Sequence, residues 1–186
     1  MASEASARAV VLVEGISDRA ALEALAARRG RDLEAEGVSI VAMGGAQAIG
    51  NALQQFGPHG ANVTLAGLCD AGEERHYRRA LERAGLGTEL TRASMESLGF
   101  YVCDRDLEDE LVRALGIAAV EAILDAQGEL SSFRTYQKQP AHRARPTEDQ
   151  LWGFMWNRKL RYARLLVEAL DLKAIPRPLD RVLAFV

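Results

Sequence analysis

An α/β domain, with a parallel four-stranded sheet flanked by helices and a mainly helical C-terminal extension, is the fold class this sequence predicts. Three observations carry it. Ala9–Val13 is an unbroken apolar, largely β-branched run, the pattern of a strand buried on both faces. Strand-like runs then alternate with segments of helical periodicity as far as residue 117. Beyond that point the strand pattern stops, and most of the remaining chain reads as helix.

Taken in order, the first strand leads to Ser17, which is predicted to cap a helix over residues 18–29 with Ala21, Leu22, Leu25 and Ala26 on its buried side. A second strand over 38–43 closes at Gly44-Gly45, and a helix follows over 46–56. The turn residues 57–60 separate it from a third strand over 63–69 and a helix over 73–84. Phe100–Cys103 reads as the fourth strand and Leu107–Leu115 as the helix after it. In the extension, residues 118–126 and 157–170 have helical spacing, residues 134–146 are basic and Pro-bounded, and Pro176 and Pro178 precede a last short apolar segment. The expected division is therefore an α/β core over 1–117 and a helical extension over 118–186 that packs on it.

A chain of 186 residues with 48% apolar and 26% charged side chains can bury a core of ordinary size. It has no apolar run of the roughly 18 residues a membrane helix needs. Residues 1–8 are polar and partly acidic, unlike a secretory signal. Two cysteines, Cys69 and Cys103, make no disulfide framework, so a reduced cytoplasmic setting is expected. The net charge of −3 hides an uneven distribution. Residues 1–130 carry 12 basic and 21 acidic side chains, whereas residues 131–164 carry eight basic ones against Glu148 and Asp149. An acidic half and a basic segment fit a metal site facing a phosphate-binding surface, although a solvated basic helix has the same composition.

In a parallel sheet of this kind ligands bind beyond the carboxyl ends of the strands. Three of the four predicted exits carry a carboxylate there: Glu14, Asp70 and Asp104. Gly15 allows a sharp turn after Glu14 and brings Asp18 to the first turn of the next helix, where it can face the same crevice or simply favour the helix dipole. In helix 107–115 the apolar stripe is Leu107, Leu111, Ala114 and Leu115. Glu108 lies at its edge, while Asp106, Asp109, Glu110 and Arg113 fall on the opposite side. Glu108 is thus the preferred ligand, with Asp106 second as a helix-start ligand. Lys159 lies in line with Ala163, Leu166 and Leu170 on a stripe that also takes in Leu160 and Val167, so it needs an inward partner or snorkels over apolar surface. Gly44-Gly45 reads as a plain turn, the three histidines (His59, His76 and His142) as surface residues, and the cysteines as small buried thiols. Trp152 and Trp156 read as packing of the C-terminal helices, with base stacking as the other use of an exposed indole.

The run Val10-Val11-Leu12-Val13-Glu14-Gly15-x-Ser17-Asp18, followed by the strand-end Asp70, resembles the Toprim domain of primases, topoisomerases and overcoming-lysogenization-defect (OLD) nucleases. Asp106-Leu107-Glu108 and the helix around Arg158-Lys159 make OLD-type domains the nearest likeness. The resemblance implies a Mg²⁺- or Mn²⁺-dependent site, with one or two ions, acting on phosphodiesters. Glu14 would correspond to the family's glutamate that serves as metal ligand or general acid/base, and Lys159 to a lysine that stabilises charge on the phosphate. One departure is plain: Toprim domains carry Asp-x-Asp after the third strand, whereas this chain reads Asp70-Ala71-Gly72-Glu73. Either Glu73 reaches in for the missing aspartate or one metal site is weakened.

The expected activity is that of a DNA endonuclease or nickase, with DNA ahead of RNA as substrate. Glu14, Asp18, Asp70, Glu73, Asp106 and Glu108 would hold metal, Glu14 and Lys159 would carry the chemistry, and Arg134, Lys138, Arg143, Arg145 and Arg158 would grip the backbone. A non-catalytic module that binds metal and nucleic acid, working with a separate ATPase because the chain has no phosphate-loop motif, is the alternative. Nucleotidyl transfer is a second alternative. A supercoil-changing topoisomerase is not expected, for want of room for its tyrosine domain.

Overall fold

The computed structural model describes residues 7–186; most of the polar stretch 1–8, read above against a secretory signal, lies outside the described residues. Strands β1 (Ala9–Val13), β2 (Val38–Ala42), β3 (Thr64–Asp70) and β4 (Phe100–Cys103) form one sheet in the order β2-β1-β3-β4. Every pairing is parallel. All five residues of β1 are buried, as its apolar run predicts for a strand covered on both faces.

Alternate side chains feed two cores. Val11, Val13, Ala66, Leu68 and Cys103 point to one face, which is covered by α1 (Ile16–Arg28), α5 (Leu107–Leu115), α9 (Lys159–Ala169) and α10 (Arg177–Phe185). Val10, Leu12, Leu65, Cys69 and Phe100 point to the other, under α2 (Ile49–Phe56), α3 (Glu74–Arg83) and α4 (Arg92–Ser97). The outer helices α6 (Ile117–Ala126), α7 (Leu130–Lys138) and α8 (Thr147–Met155) complete the chain. Their buried residues Val120, Leu124, Phe133, Leu151 and Met155 join the first core.

The α9 helix lies along α1, and the guanidinium of Arg28 at the end of α1 donates to the carbonyls of Val167 and Leu170, both at 2.7 Å. The Val167 carbonyl also accepts the Leu170 N–H at 3.2 Å, so the guanidinium adds to the capping of the end of α9. Among the described residues no helix is long and apolar enough to cross a membrane.

Several predicted details change. The first helix begins at Ile16 with Gly15 as its N-cap, not at Asp18 with Ser17: Asp18 reaches back from the third position and accepts from the Gly15 amide at 2.8 Å. Helix α4, absent from the sequence reading, is closed by a reciprocal pair in which Thr91 N–H donates to Ser94 Oγ at 2.6 Å and Ser94 N–H donates to Thr91 Oγ1 at 3.2 Å. The basic Pro-bounded segment is partly helical, because α7 runs into it. The last apolar segment is the helix α10, with Pro178 in its first turn where a missing N–H costs nothing. Leu160 is 50% exposed: it sits in the first turn of α9, at the open end of the α1–α9 pair, where Ile16 is exposed as well.

Candidate functional site

Helix α1 leaves β1 on one face of the sheet and α3 leaves β3 on the other, so the neighbouring exits of β1 and β3 part and open a crevice. Glu14 and Asp70 stand at these two exits. The Asp70 N–H points at Glu14 Oε1 at 3.4 Å, a long contact that nevertheless fixes the two carboxylates side by side. Gly44 and Gly45, both at positive φ, donate their N–H groups to the Glu14 carbonyl at 3.0 and 2.9 Å. Those amides hold the Glu14 backbone, so they are not directed at a ligand. That use agrees with the plain turn read from the sequence.

One hollow above the sheet is lined by Glu14, Asp18, Gly44, Gly45, Asp70, Glu108 and Lys159. A second shares Glu14 and Asp70 with the first and adds Gly72, Glu73, Asp104, Asp106, Trp152 and Trp156. Residues from β1, α1, β3, α5 and α9 therefore meet at one edge of the sheet.

Glu108 is 2% exposed, in line with its place at the edge of the apolar stripe. Its Oε2 accepts from the Lys159 ammonium at 2.8 Å, and its Oε1 is buried without a hydrogen-bond partner. Lys159 also donates to Asp106 Oδ2 at 3.2 Å. Burial works against the ammonium's charge, yet Glu108 and Asp106 together hold its pKa above the ordinary lysine value.

Asp106 is buried as well. It is the N-cap of α5, with Oδ1 accepting from Asp109 N–H at 2.8 Å, and Trp152 roofs it by donating its indole N–H to Oδ2 at 2.7 Å. Both of its oxygens are engaged. Glu110 is likewise buried, against expectation, because it turns back to accept from the Asp104 N–H at 2.9 Å and pairs with Arg113 at 3.0 Å.

The electrostatics are those of crowded anions. Burial raises the Asp70 carboxyl to about 8, helped by Glu14, Asp106 and Asp18. Burial also raises Asp18 to about 6, against the bond from Gly15, and lifts Glu14 despite the Asp70 amide. In metal-free protein these groups hold protons more tightly when folded than in the unfolded chain, where an aspartate titrates near ~3.9. The stability they contribute is complete below that value and is lost as pH rises through about 6 for Asp18 and about 8 for Asp70. Chelator-treated protein is therefore expected to melt at a lower temperature at about pH 9 than at about pH 5. Saturating Mg²⁺ should narrow the gap, and equal melting temperatures at both pH values would contradict the crowding.

The Trp152–Asp106 bond was beyond sequence reading, since the partners lie 46 residues apart and no local pattern links them. The two tryptophans wall the second hollow instead of packing on the sheet. Trp152→Phe keeps an aromatic ring there, though a smaller one, and deletes the donor. We expect it to cost about 1.5–3 kcal/mol in urea unfolding, the value of one hydrogen bond to a charged acceptor. A midpoint equal to the parent's would show that the bond contributes nothing.

The predicted nucleic-acid side chains divide. Lys138, Arg143 and Arg145 are exposed and make no side-chain bond or ion pair among the described residues. Arg134 is held by Glu121 through two bonds of 2.7 Å, and Arg158 by Glu129 at 3.2 Å. The first three lie in or beside the loop that leads into α8, and Asp149 of that helix pairs at 2.6 Å with Arg105, on the rim of the second hollow.

Residues 7–70 match the model of the overcoming-lysogenization-defect-like Toprim domain. Two solved structures share the fold over nearly the whole chain. The C-terminal region of the Burkholderia pseudomallei OLD protein is 22% identical with a TM-score of 0.74, covering 96% of this chain and 96% of that one. The C-terminal region of the Xanthomonas campestris pv. campestris OLD protein is 23% identical with a TM-score of 0.76, covering 97% and 92%. No curated protein matches the sequence.

Proposed function

From a chain whose residues 7–70 match an OLD-like Toprim domain, a fold associated with metal-dependent nucleic-acid enzymes, we propose a divalent-metal-dependent nuclease acting on DNA in preference to RNA. The supporting observation is the meeting of Glu14, Asp70 and Glu108, from three separate segments, in one hollow whose lining includes a single cationic side chain, Lys159.

As the side chains stand, no group of three or more His, Cys, Asp or Glu among the described residues is set to hold a metal ion. The donors nonetheless fit a hard cation. They are all carboxylate oxygens, they raise one another's pKa values, and Glu108 Oε1 is buried without a partner. Glu14, Asp70 and Glu108 would hold Mg²⁺ or Mn²⁺, with Asp18 and Glu73 completing the set. Asp106, already bonded to Trp152, Lys159 and the α5 amide, would position Lys159.

The bound ion supplies positive charge against the phosphate oxygens and acidity to water. Glu14 Oε2, free of protein hydrogen bonds among the described residues, takes the proton of the attacking water. Lys159, kept protonated by its two carboxylates, stabilises charge on the phosphate. Lys138, Arg143 and Arg145 grip the backbone, and Arg134 and Arg158 can join them because exposed pairs such as theirs are weak. The free, buried Cys69 and Cys103 suit the reducing cytoplasm.

The test is incubation with supercoiled plasmid and with single-stranded DNA and RNA, in Mg²⁺ or Mn²⁺ and again in chelator. Metal-dependent cleavage supports the reading, and metal-dependent binding without cleavage at any concentration overturns it. The second outcome supports the other reading, a non-catalytic module working beside a separate ATPase, which Gly72 favours by removing a carboxylate from the expected Asp-x-Asp. Gly72 stands in open space, where a Cβ would meet nothing within 4 Å. Gly72→Asp is therefore expected to fold normally and to tighten Mn²⁺ binding on the order of tenfold by calorimetry, through the added ligand charge. Unchanged affinity would show that position 72 does not face the ion.

A further inference from the structure

Two indoles stand at the rim of the acidic hollow. Trp152 is fixed by its bond to Asp106 and by the Arg105 guanidinium, 3.6 Å from its ring centroid. Trp156 leans on it with centroids 4.7 Å apart at 54°, and the Lys159 ammonium lies 4.2 Å from the Trp156 centroid. Even so, Trp156 is 49% exposed, in a chain whose other tryptophan and whose core aromatics are largely covered. Single exposed apolar side chains are ordinary on protein surfaces. This one differs in its place, because it lines the same hollow as Glu14, Asp70 and Glu73.

A half-exposed indole with a lysine ammonium over its ring, set beside a phosphodiester site, matches a flat π-system joined to an anion. An unpaired nucleotide has both parts. A base inside a duplex does not offer its face, which is stacked on its neighbours, and reaching it means paying to unstack it. Resting on the nuclease reading of this hollow, we propose that Trp156 is the stacking platform for an unpaired base next to the bond to be cut. The substrate class is then single-stranded or locally unpaired nucleic acid, in preference to continuous duplex. Trp152 and Arg105 brace the platform before the substrate arrives, so little ordering is left to be done on binding.

Fluorescence anisotropy of a labelled oligothymidylate and of a blunt hairpin duplex, with Ca²⁺ present, tests this on the full chain. The parent should bind the single strand more tightly than the duplex. Trp156→Ala should weaken single-strand binding between about 5- and 150-fold, the range for one stacked base, and change duplex binding less than about twofold. Trp156→Phe should recover most of the loss, and thermal melting should show all three proteins folded. An equal loss on both ligands, or no loss on the single strand, overturns the platform. Cleavage in Mg²⁺ or Mn²⁺ is scored separately. Cleavage with no effect of Trp156→Ala on single-strand binding defeats the platform alone, whereas a selective binding loss without cleavage by any of the proteins defeats the nuclease reading alone.

Discussion

Replacing Glu14 by glutamine is expected to lower metal-dependent cleavage by roughly 10²–10³-fold or more, the scale seen when one group stabilising reaction charge is removed. The substitution keeps the size of the side chain, and an amide oxygen can still accept from the Asp70 N–H that now points at Oε1 at 3.4 Å. What disappears is a negative charge and a proton acceptor. Without metal the change relieves repulsion, since Glu14 raises the pKa values of both Asp70 and Asp18, so the variant should be at least as stable as the parent. With metal the order reverses. An ion at a hundred times its Kd stabilises the folded state by about 2.7 kcal/mol. For a domain of this size that raises the melting temperature by roughly 5–10 °C. The parent should show this rise and Glu14→Gln should lose most of it. Equal cleavage by parent and variant, or equal metal-induced shifts, would remove Glu14 from the site.

Lys159→Met should give the largest loss of stability. Lys159 is the cation that hydrogen-bonds to Glu108 and Asp106, whose side chains are 3% and 6% exposed. Removing one partner of a buried pair strands the other, at about 3–5 kcal/mol. The lysine side chain is 25% exposed, so solvent screening reduces this to about 2–4 kcal/mol in urea unfolding. A divalent ion placed among the same carboxylates should restore part of the loss and bind at least as tightly as in the parent, since a competing cation has gone. Cleavage should stay absent after metal is restored, because the charge set against the phosphate is missing. A variant with the parent's stability and full cleavage would show that Lys159 is a snorkelling surface lysine.

The strands and the residues just beyond them were legible because they are local properties. A fully buried parallel strand needs an unbroken apolar run, and each exit lies directly where that run stops. Glu108 was legible by the same logic, since its place on the helix could be counted from the leucines of α5. The failures share one cause. Glu110 falls on the side of α5 away from the stripe, and periodicity assigns that side to water. The Asp104 amide meets Glu110 there instead. Leu160 fails in the opposite direction, because periodicity marks it as buried although no element covers the first turn of α9 at that point.

Composition and spacing were thus enough to place carboxylates at the strand exits, since both are set by the chain's own period and the turn after each strand. Which acid receives Lys159, which basic side chains stay unpaired, and where two tryptophans come to rest were decided by contacts between residues tens of positions apart. Such contacts depend on how helices from opposite ends of the chain settle against one sheet. No local pattern carries that information, because burial of an ion pair or an indole is a property of the surroundings and not of the segment that bears it.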